Sequence, residues 1–515
     1  MSKILFITAP YHANVVEVAG RWVPLYYVYL AGAARQAGIE VEIYDAMTKK
    51  VGFEEVEEKL RESKSDYVAV MSITCTSPDA LEVVKLAKRV NPSTTTIMGG
   101  IHPTYMYDEL FDRSDGTLDF VVRGEGENTM REFLIAHSGS ASYEKLKEIK
   151  GLAFRKDRKT IVTQDRPLMT PEELDRLPLA WDALEWSDYT YYILPGSTLG
   201  AVSTSRGCDK DCSFCSQRVF WEKKWRGRSP EGVIRDVEDQ IKFGVNVILL
   251  TDDYPTLERE RWERLLDILI EKELGVYFLM ETRAEDIIRD KDILWKYRKA
   301  GIIHIYIGTE ATDQETLEKM KKGITVDQAK EALQLLDKAD IITETSMILG
   351  MPDETPESIE RTIEAAITYN PDFCHFLAIC PWPYADMYEE LKPYIVSYDY
   401  KRYNLIDPVI KPKDMTLKEV DEAIVECYRR FYMGKLHQLR DIDNPFRKGY
   451  LLAAMKRVMQ NSFLVGKIGN LGEQMPEHVK KAIDEISLEA DHFKGDISKC
   501  PVTKLKKFIG IGRKK

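Results

Sequence analysis

Twice along this chain, short apolar runs alternate with segments of helical period, and that pattern restricts the fold more than any other feature. In residues 1–140 the runs are Lys3–Thr8, Glu40–Tyr44, Tyr67–Ile73, Thr95–Gly99 and Phe120–Arg123, with helical periods over Leu25–Gly38, Phe53–Ser63 and Asp79–Val90. Continuous apolar strands separated by helices belong to a parallel sheet covered on both faces. The expectation is an α/β chain that opens with a doubly wound, Rossmann-like domain. Such sheets bind ligands at the carboxyl ends of their strands. The loops there are Thr8-Ala-Pro10, Ser72-Ile-Thr-Cys-Thr-Ser77, Gly99-Gly-Ile-His-Pro-Thr104 and Arg123-Gly-Glu-Gly-Glu127. The second run has strands at Leu199–Ser203, Val245–Leu250, Val276–Glu281, His304–Gly308, Ile342–Leu349 and Phe373–Cys380, with helix starts at Ser229-Pro-Glu and Thr355-Pro-Glu-Ser. Six βα units predict a partial (β/α)6 barrel, open on one side, whose active residues lie on the loops after the strands. Between the runs, residues 141–193 read as a connecting segment with a short strand at Gly151-Leu-Ala-Phe154 and a helix start at Thr170-Pro-Glu-Glu173. The barrel spans 194–412, and 413–515 reads as helical. A chain of 515 residues is too long for one core and divides in this way.

The loop after the first barrel strand holds Cys208, Cys212 and Cys215, a C-x3-C-x2-C spacing within Arg206–Gln217. Soft thiolates suit iron–sulfur sites, and three of them leave one iron of a cubane 4Fe-4S cluster open to a substrate or cofactor. Zinc takes four closing ligands, and no fourth Cys or His is close in sequence; the next Cys is Cys374. A disulfide framework belongs to small secreted scaffolds, not to a chain with 8 Cys in 515 residues. The spacing, placed after a strand, resembles the radical S-adenosylmethionine (SAM) superfamily. That resemblance implies SAM bound at the open iron and cleaved by the reduced cluster. The resulting 5′-deoxyadenosyl radical would remove hydrogen from an unactivated carbon. SAM needs partners for its ammonium, carboxylate and ribose hydroxyls. Asp253, Arg283, Gly308 and Glu310 stand at successive strand ends with suitable chemistry. Asp353 and Thr355, in Gly350-Met-Pro-Asp-Glu-Thr355, read equally as helix caps. Phe214 would shield the cluster and pack beside the adenine.

The first domain resembles the cobalamin-binding domain of the radical SAM subclass that uses both cofactors. Across almost the whole chain the resemblance is to the family of anaerobic magnesium-protoporphyrin IX monomethyl ester cyclases and their relatives of unassigned activity. It is carried by Ala19-Gly-Arg-Trp-Val-Pro24, Asp45-Ala-Met47, Gly99–Tyr107, Val122–Glu127, Cys212–Gln217 with Phe220-Trp221, Gly308-Thr-Glu-Ala311, Pro381-Trp-Pro383 and Arg429–Met433. It implies cobalamin against Ser72, Thr74, Gly99, Gly100, His102, Gly124 and Glu125, with glycines letting backbone approach a large planar ligand. Position 47 is Met where some cobalamin proteins carry a cobalt-ligating His in a D-x-H-x-x-G motif. His102 is the one His near the expected corrin face. Trp22, Trp382 and Tyr384 offer aromatic surface for a substrate between the domains, with core packing the alternative. Cys75, Cys374 and Cys380 read as buried small apolar groups; Cys427 and Cys500 carry no signal.

Three functions are compatible with these residues. The first is oxygen-independent oxidative cyclisation of a magnesium porphyrin ester. The second is cobalamin-dependent C-methylation of a tetrapyrrole, lipid or natural product. The third is a non-catalytic cobalamin-binding sensor, which an intact three-Cys motif argues against. The implied partners are a small hydrophobic substrate and a reduced electron-transfer protein as donor. A net charge of −11 gives no nucleic-acid footprint. The basic tail Lys504–Lys515 reads as a solvated terminus, with membrane-surface contact the alternative. No apolar run reaches the roughly 18 residues of a spanning helix, and no signal peptide opens the chain. A cytoplasmic protein in a reducing, low-oxygen setting is expected.

Overall fold

The computed structural model describes residues 2–13, 18–139, 142–461, 463–468 and 481. The basic tail, Cys500 and most of the chain after 468 lie outside the described residues.

Strands β1 (Lys3–Ile7), β2 (Glu40–Tyr44), β3 (Tyr67–Met71), β4 (Thr95–Gly99) and β5 (Phe120–Val122) pair in parallel in the order 2-1-3-4-5. β1, β3, β4 and β5 are buried along most of their length because helices cover both faces, with one core under each face, while the edge strand β2 is half-buried with Glu40 exposed. The chain reverses direction across the sheet between β1 and β3, a topological switch point where such folds take ligands. Beyond β5 the sheet gains an antiparallel hairpin, β6 (Leu152–Lys156) and β7 (Lys159–Val162). The sheet therefore runs past residue 140 into what reads in the sequence as connector. Asp157 and Arg158, with φ of 51° and 63°, make a two-residue turn of the type that usually selects Asn-Gly. Asp-Arg does not announce it.

The second sheet takes β8 (Leu199–Val202), then, after a small ribbon of β9 (Ser205–Arg206) and β10 (Arg226–Gly227), strands β11 (Val247–Leu250), β12 (Tyr277–Thr282), β13 (Ile302–Glu310), β14 (Ile342–Leu349) and β15 (Phe373–Ala378). The six large strands are all parallel, in sequence order, with β8 and β15 as free edges: an open, partial barrel. Helices Pro230–Ile241, Arg259–Lys272, Val326–Lys338 and Pro356–Tyr369 pack outside it in one continuous apolar layer, in which Trp262 is fully buried against Tyr297. Their starts are those the sequence marks. Ser229 and Thr355 accept from backbone amides three residues on, each followed by Pro. The lower lumen is filled by Tyr277, Leu279, Ile342 and Phe373 of the strands against Tyr191, Tyr450 and Leu451. The last two come from the helix Pro445–Asn461, which follows the 22-residue helix Leu417–Gln438. No helix among the described residues is long and apolar enough to cross a membrane.

Candidate functional site

The cysteine loop leaves and re-enters the fold through the β9–β10 ribbon, where Arg206 pairs with Arg226. Its neck admits only glycine at 207: φ is +92°, and an added Cβ would stand 2.1 Å from the Lys224 carbonyl oxygen. Ser213 pins the loop's middle, donating its amide to the Met320 carbonyl at 2.9 Å and accepting from the Met387 amide at 3.0 Å. Cys212 is buried, and Cys208 and Cys215 are half-buried. Burial pushes the Cys208 thiol up to about 11 and the Cys215 thiol up to about 12. A bound metal deprotonates such thiols outright. Among the described residues no three Cys, His, Asp or Glu side chains converge as a single ion requires. Three thiols spread along one loop suit a cluster that offers each an iron of its own. Phe214, between two of the thiols, packs against Met351, Ile379 and Met387.

Arg283, after β12, has Nη1 3.9 Å from the Cys212 sulfur. Its Nη2 donates to the Lys322 carbonyl at 2.6 Å and its Nε to Glu285 at 2.6 Å. The adjacent acids Asp252 and Asp253 part company. Asp252 is fully buried and accepts from the Thr204 amide, the Thr204 hydroxyl and the Ser205 hydroxyl. Asp253 faces the interdomain cavity, and burial raises its carboxyl to about 7. Glu310 ends β13 with φ of 63°, at a register shift against β14, and accepts from Lys322 Nζ at 2.7 Å and Ser346 Oγ at 3.2 Å. Gly308 makes room for that pair, since a Cβ there would stand 2.2 Å from Glu310 Oε1 and 2.7 Å from Lys322 Nζ. The left-handed backbone of Glu310 is strain of the kind that collects at functional sites.

The carboxyl ends of the first sheet form one wall of a cavity of about 490 Å³, and Gln217, Trp221, Thr251 and Asp253 form the other; the three cysteines, Arg283, Gly308 and Glu310 do not line it. Gly99, Gly100, Gly124, Glu125 and Glu127 line it together with Tyr26, Tyr29, Phe220 and Trp221. At Gly100, φ is +100° and a Cβ would meet the Ser72 carbonyl at 2.6 Å. At Gly124, φ is +69° and nothing lies within 4 Å of an added Cβ. A backbone-floored slot with aromatic sides fits a large planar ring. Ser72, Thr74 and His102 lie behind this wall, each with no exposed surface. Thr74 bonds the Tyr384 hydroxyl at 2.8 Å and lies 3.3 Å from His102 Nδ1. The His102 ring packs between Tyr384 and Tyr400, and burial holds its pKa down to about 3. These three support the loop rather than face the cavity. Asp45 likewise is a helix cap, accepting from the Thr48 amide at 3.1 Å. Trp22 packs 6.1 Å from Tyr191, and Trp382 packs against Cys380, Tyr400 and Tyr403; neither lines the cavity.

Several polar residues of this region had no local signal. Lys322, which meets Glu310 and Arg283, stands at none of the strand ends singled out in the sequence. One layer below Ser346 in the lumen, Glu344 sits between His304 Nε2, at 2.9 Å, and His375 Nε2. The two imidazoles hold its carboxyl well below the usual range against the opposing effect of burial. Tyr450 extends the chain at 2.7 Å from His304 Nδ1, and Tyr191 continues it. Alternation along β13 to β15 is the only sequence sign that His304, Glu344 and His375 share a face.

The comparisons with known proteins agree with this geometry. A model described as the Radical SAM superfamily matches residues 202–366, and one described as the B12 binding domain matches 11–134. The chain is similar to the anaerobic magnesium-protoporphyrin IX monomethyl ester cyclase of Cereibacter sphaeroides, at 35% identity over 94% of this chain and 80% of that protein. It is similar also to an uncharacterized methyltransferase of Pyrococcus horikoshii, at 30% identity over 85% of this chain and 94% of the relative. Its fold matches the solved cobalamin-dependent S-adenosylmethionine radical enzyme OxsB with a TM-score of 0.68, covering 99% of this chain and 81% of that one at 16% identity. This chain belongs to the radical SAM superfamily, in the branch that joins a B12-binding domain to the barrel, and is an enzyme of 4Fe-4S cluster, SAM and cobalamin.

Proposed function

We propose that this enzyme is an oxygen-independent oxidative cyclase of a magnesium-protoporphyrin monomethyl ester, with Cys208, Cys212 and Cys215 as the cluster ligands. The observation that carries the reaction is similarity to the Cereibacter sphaeroides cyclase that spans both domains rather than the barrel alone. When bound, the cluster and SAM supply a radical able to take hydrogen from an unactivated carbon of the substrate's propionate chain. The chain's own residues hold and orient. Glu310, kept over Gly308 by Lys322, and Asp253 offer acceptors for an ammonium and ribose hydroxyls, while Arg283 guards the Cys212 side and offers a donor to a carboxylate. Gly99, Gly100 and Gly124 floor the corrin side. Enclosure between two sheets excludes water and keeps reactants close. The same residue set supports cobalamin-dependent methylation, which the Pyrococcus horikoshii relative favours. Mass spectrometry of anaerobic turnover in labelled water separates the two. Product carrying oxygen from water and a new ring supports cyclisation; product heavier by one methyl group, with S-adenosylhomocysteine formed, overturns it. Changing any one of the three cysteines to Ala is expected to strip the iron and the visible absorbance while leaving cobalamin binding in place; retained iron would refute the ligand assignment.

A further inference from the structure

Glu125 is the least expected residue of the site. It lines the cavity on the corrin side, yet both its carboxylate oxygens are turned away to the second domain. Oε1 accepts from Arg206 Nη1 at 3.0 Å. Oε2 accepts from Arg226 Nη1 at 2.8 Å and from the Met169 amide at 2.7 Å. Glu127, one helical step on, takes Arg206 Nη2 at 2.6 Å. Arg206 and Arg226 are the cross-strand pair of the β9–β10 ribbon, so they stand at the two ends of the cysteine loop. One carboxylate of the first domain thus grips both roots of the loop that carries Cys208, Cys212 and Cys215. The guanidinium groups also lie over rings that line the cavity: Arg206 over Tyr29 at 4.9 Å and Arg226 over Trp221 at 5.3 Å. The clamp is buried, with Glu125 and Glu127 each 5% exposed and Arg226 8%. It is also incompletely satisfied, because Glu127 Oε2 and the Nε and Nη2 of Arg226 have no hydrogen-bond partner. Buried donors and an acceptor left open beside a cavity are suited to the peripheral amides of a large ring, which both donate and accept.

We propose that Glu125 is a positioning residue that couples the two cofactor sites: filling the corrin side of the cavity tightens the Glu125–Arg206–Arg226 clamp and so orders the cluster loop. A clamp of this kind acts in both directions, since coupling between sites is reciprocal. Both carboxylate oxygens of Glu125 are taken by Arg206, Arg226 and the Met169 amide, so it acts on the corrin side through these partners. The inference rests on the three cysteines being the cluster ligands, but its test does not require turnover.

The test is limited trypsin digestion of the full chain, with and without hydroxocobalamin, before and after cluster reconstitution. Lys223 and Lys224, with side chains 43% and 61% exposed, are the cleavage points within the loop. Cobalamin is expected to slow their cleavage by about tenfold in the wild type, within the usual range of site–site coupling. In Glu125→Gln, which keeps shape and removes charge, protection should fall below about twofold and the cobalamin Kd from absorbance titration should weaken by about tenfold, the loss that reciprocal coupling requires. The low-temperature EPR signal of the reduced cluster should respond to cobalamin in the wild type and not in the variant. Protection in Glu125→Gln equal to that of the wild type overturns the proposal; so does an unchanged cobalamin Kd, or a complete loss of cobalamin binding, which would make Glu125 a direct contact. If Glu125→Gln does not fold, Arg226→Lys, which keeps the charge but loses the planar fork, decides it by the same readouts. Failure of iron to bind at all would count against the cysteine assignment, while cobalamin-dependent protection of the iron-free loop still tests the clamp.

Discussion

Individual residues in and beside this site are tuned by what surrounds them, and three of them make sharp predictions. Gly308→Ala drives a methyl group into the Lys322–Glu310 pair. SAM affinity, measured by calorimetry on the cluster-loaded protein, should weaken by about tenfold, because parting a buried ion pair leaves both charges uncompensated. Gly100→Ala meets both a positive φ and the Ser72 carbonyl. It should cost about 2 kcal/mol or more in denaturant unfolding of the first domain. Glu281, on the lumen face of β12, keeps solvent access along the lumen although protein surrounds it on every side. Burial, with Asp253 and Asp252 adding repulsion, moves its carboxyl from the ordinary 4.5 up to about 8. Between those two values the native state holds a proton that the unfolded chain releases, so this residue's contribution to stability falls as pH rises and levels off above about 8. Glu281→Gln should match the wild type near pH 4 and melt about 2 °C higher near pH 9 in calorimetry. Identity alone does not foretell this tuning. Asp252 and Asp253 are the same residue type in consecutive positions, and only the turn after β11 sends one into a hydroxyl cage and the other toward the cavity.

Elements were the most legible level. The strand signals at Glu40–Tyr44, Thr95–Gly99 and Ile342–Leu349 have the observed bounds, and the others differ at their ends by a few residues. The reason is local: apolar runs of this length pay off only between covering helices, and Ser-Pro or Thr-Pro starts cap helices through their own backbone. Thr355→Ala, which removes the hydroxyl that accepts from the Ser358 amide, should destabilise the helix Pro356–Tyr369 by about 1 kcal/mol. Faster amide exchange confined to its first turn would report it; unchanged exchange would show the cap to be idle. β6 was legible as a short strand, but its hairpin partner β7 escaped because the turn conformation is held by strand pairing and not by the residues that usually adopt it. The Pro445–Asn461 helix was legible as a helix, but not as the plug of the lumen.

At the scale of the whole molecule, two sheets present their carboxyl ends to one cavity, and the proposed chemistry lies beside it. Cobalamin at about 100 times its Kd should raise stability by about 2.7 kcal/mol, and hydrogen exchange should slow on both walls, at Gly99–Ile101 and at Gln217–Trp221. Slowing on one wall alone would contradict the shared cavity. The amino-acid sequence by itself determined the two alternating runs, the helix starts and the cysteine spacing, because each depends on neighbours a few residues apart. Tertiary structure alone decided which polar residues meet. Glu125 joins Arg206 across 81 positions, His102 is sealed behind the glycine loop it belongs to, and Lys322 reaches Glu310 over a glycine. Such meetings follow from how two separately folded sheets dock, and docking is set by the summed burial of surfaces distant in the chain, which no local pattern encodes.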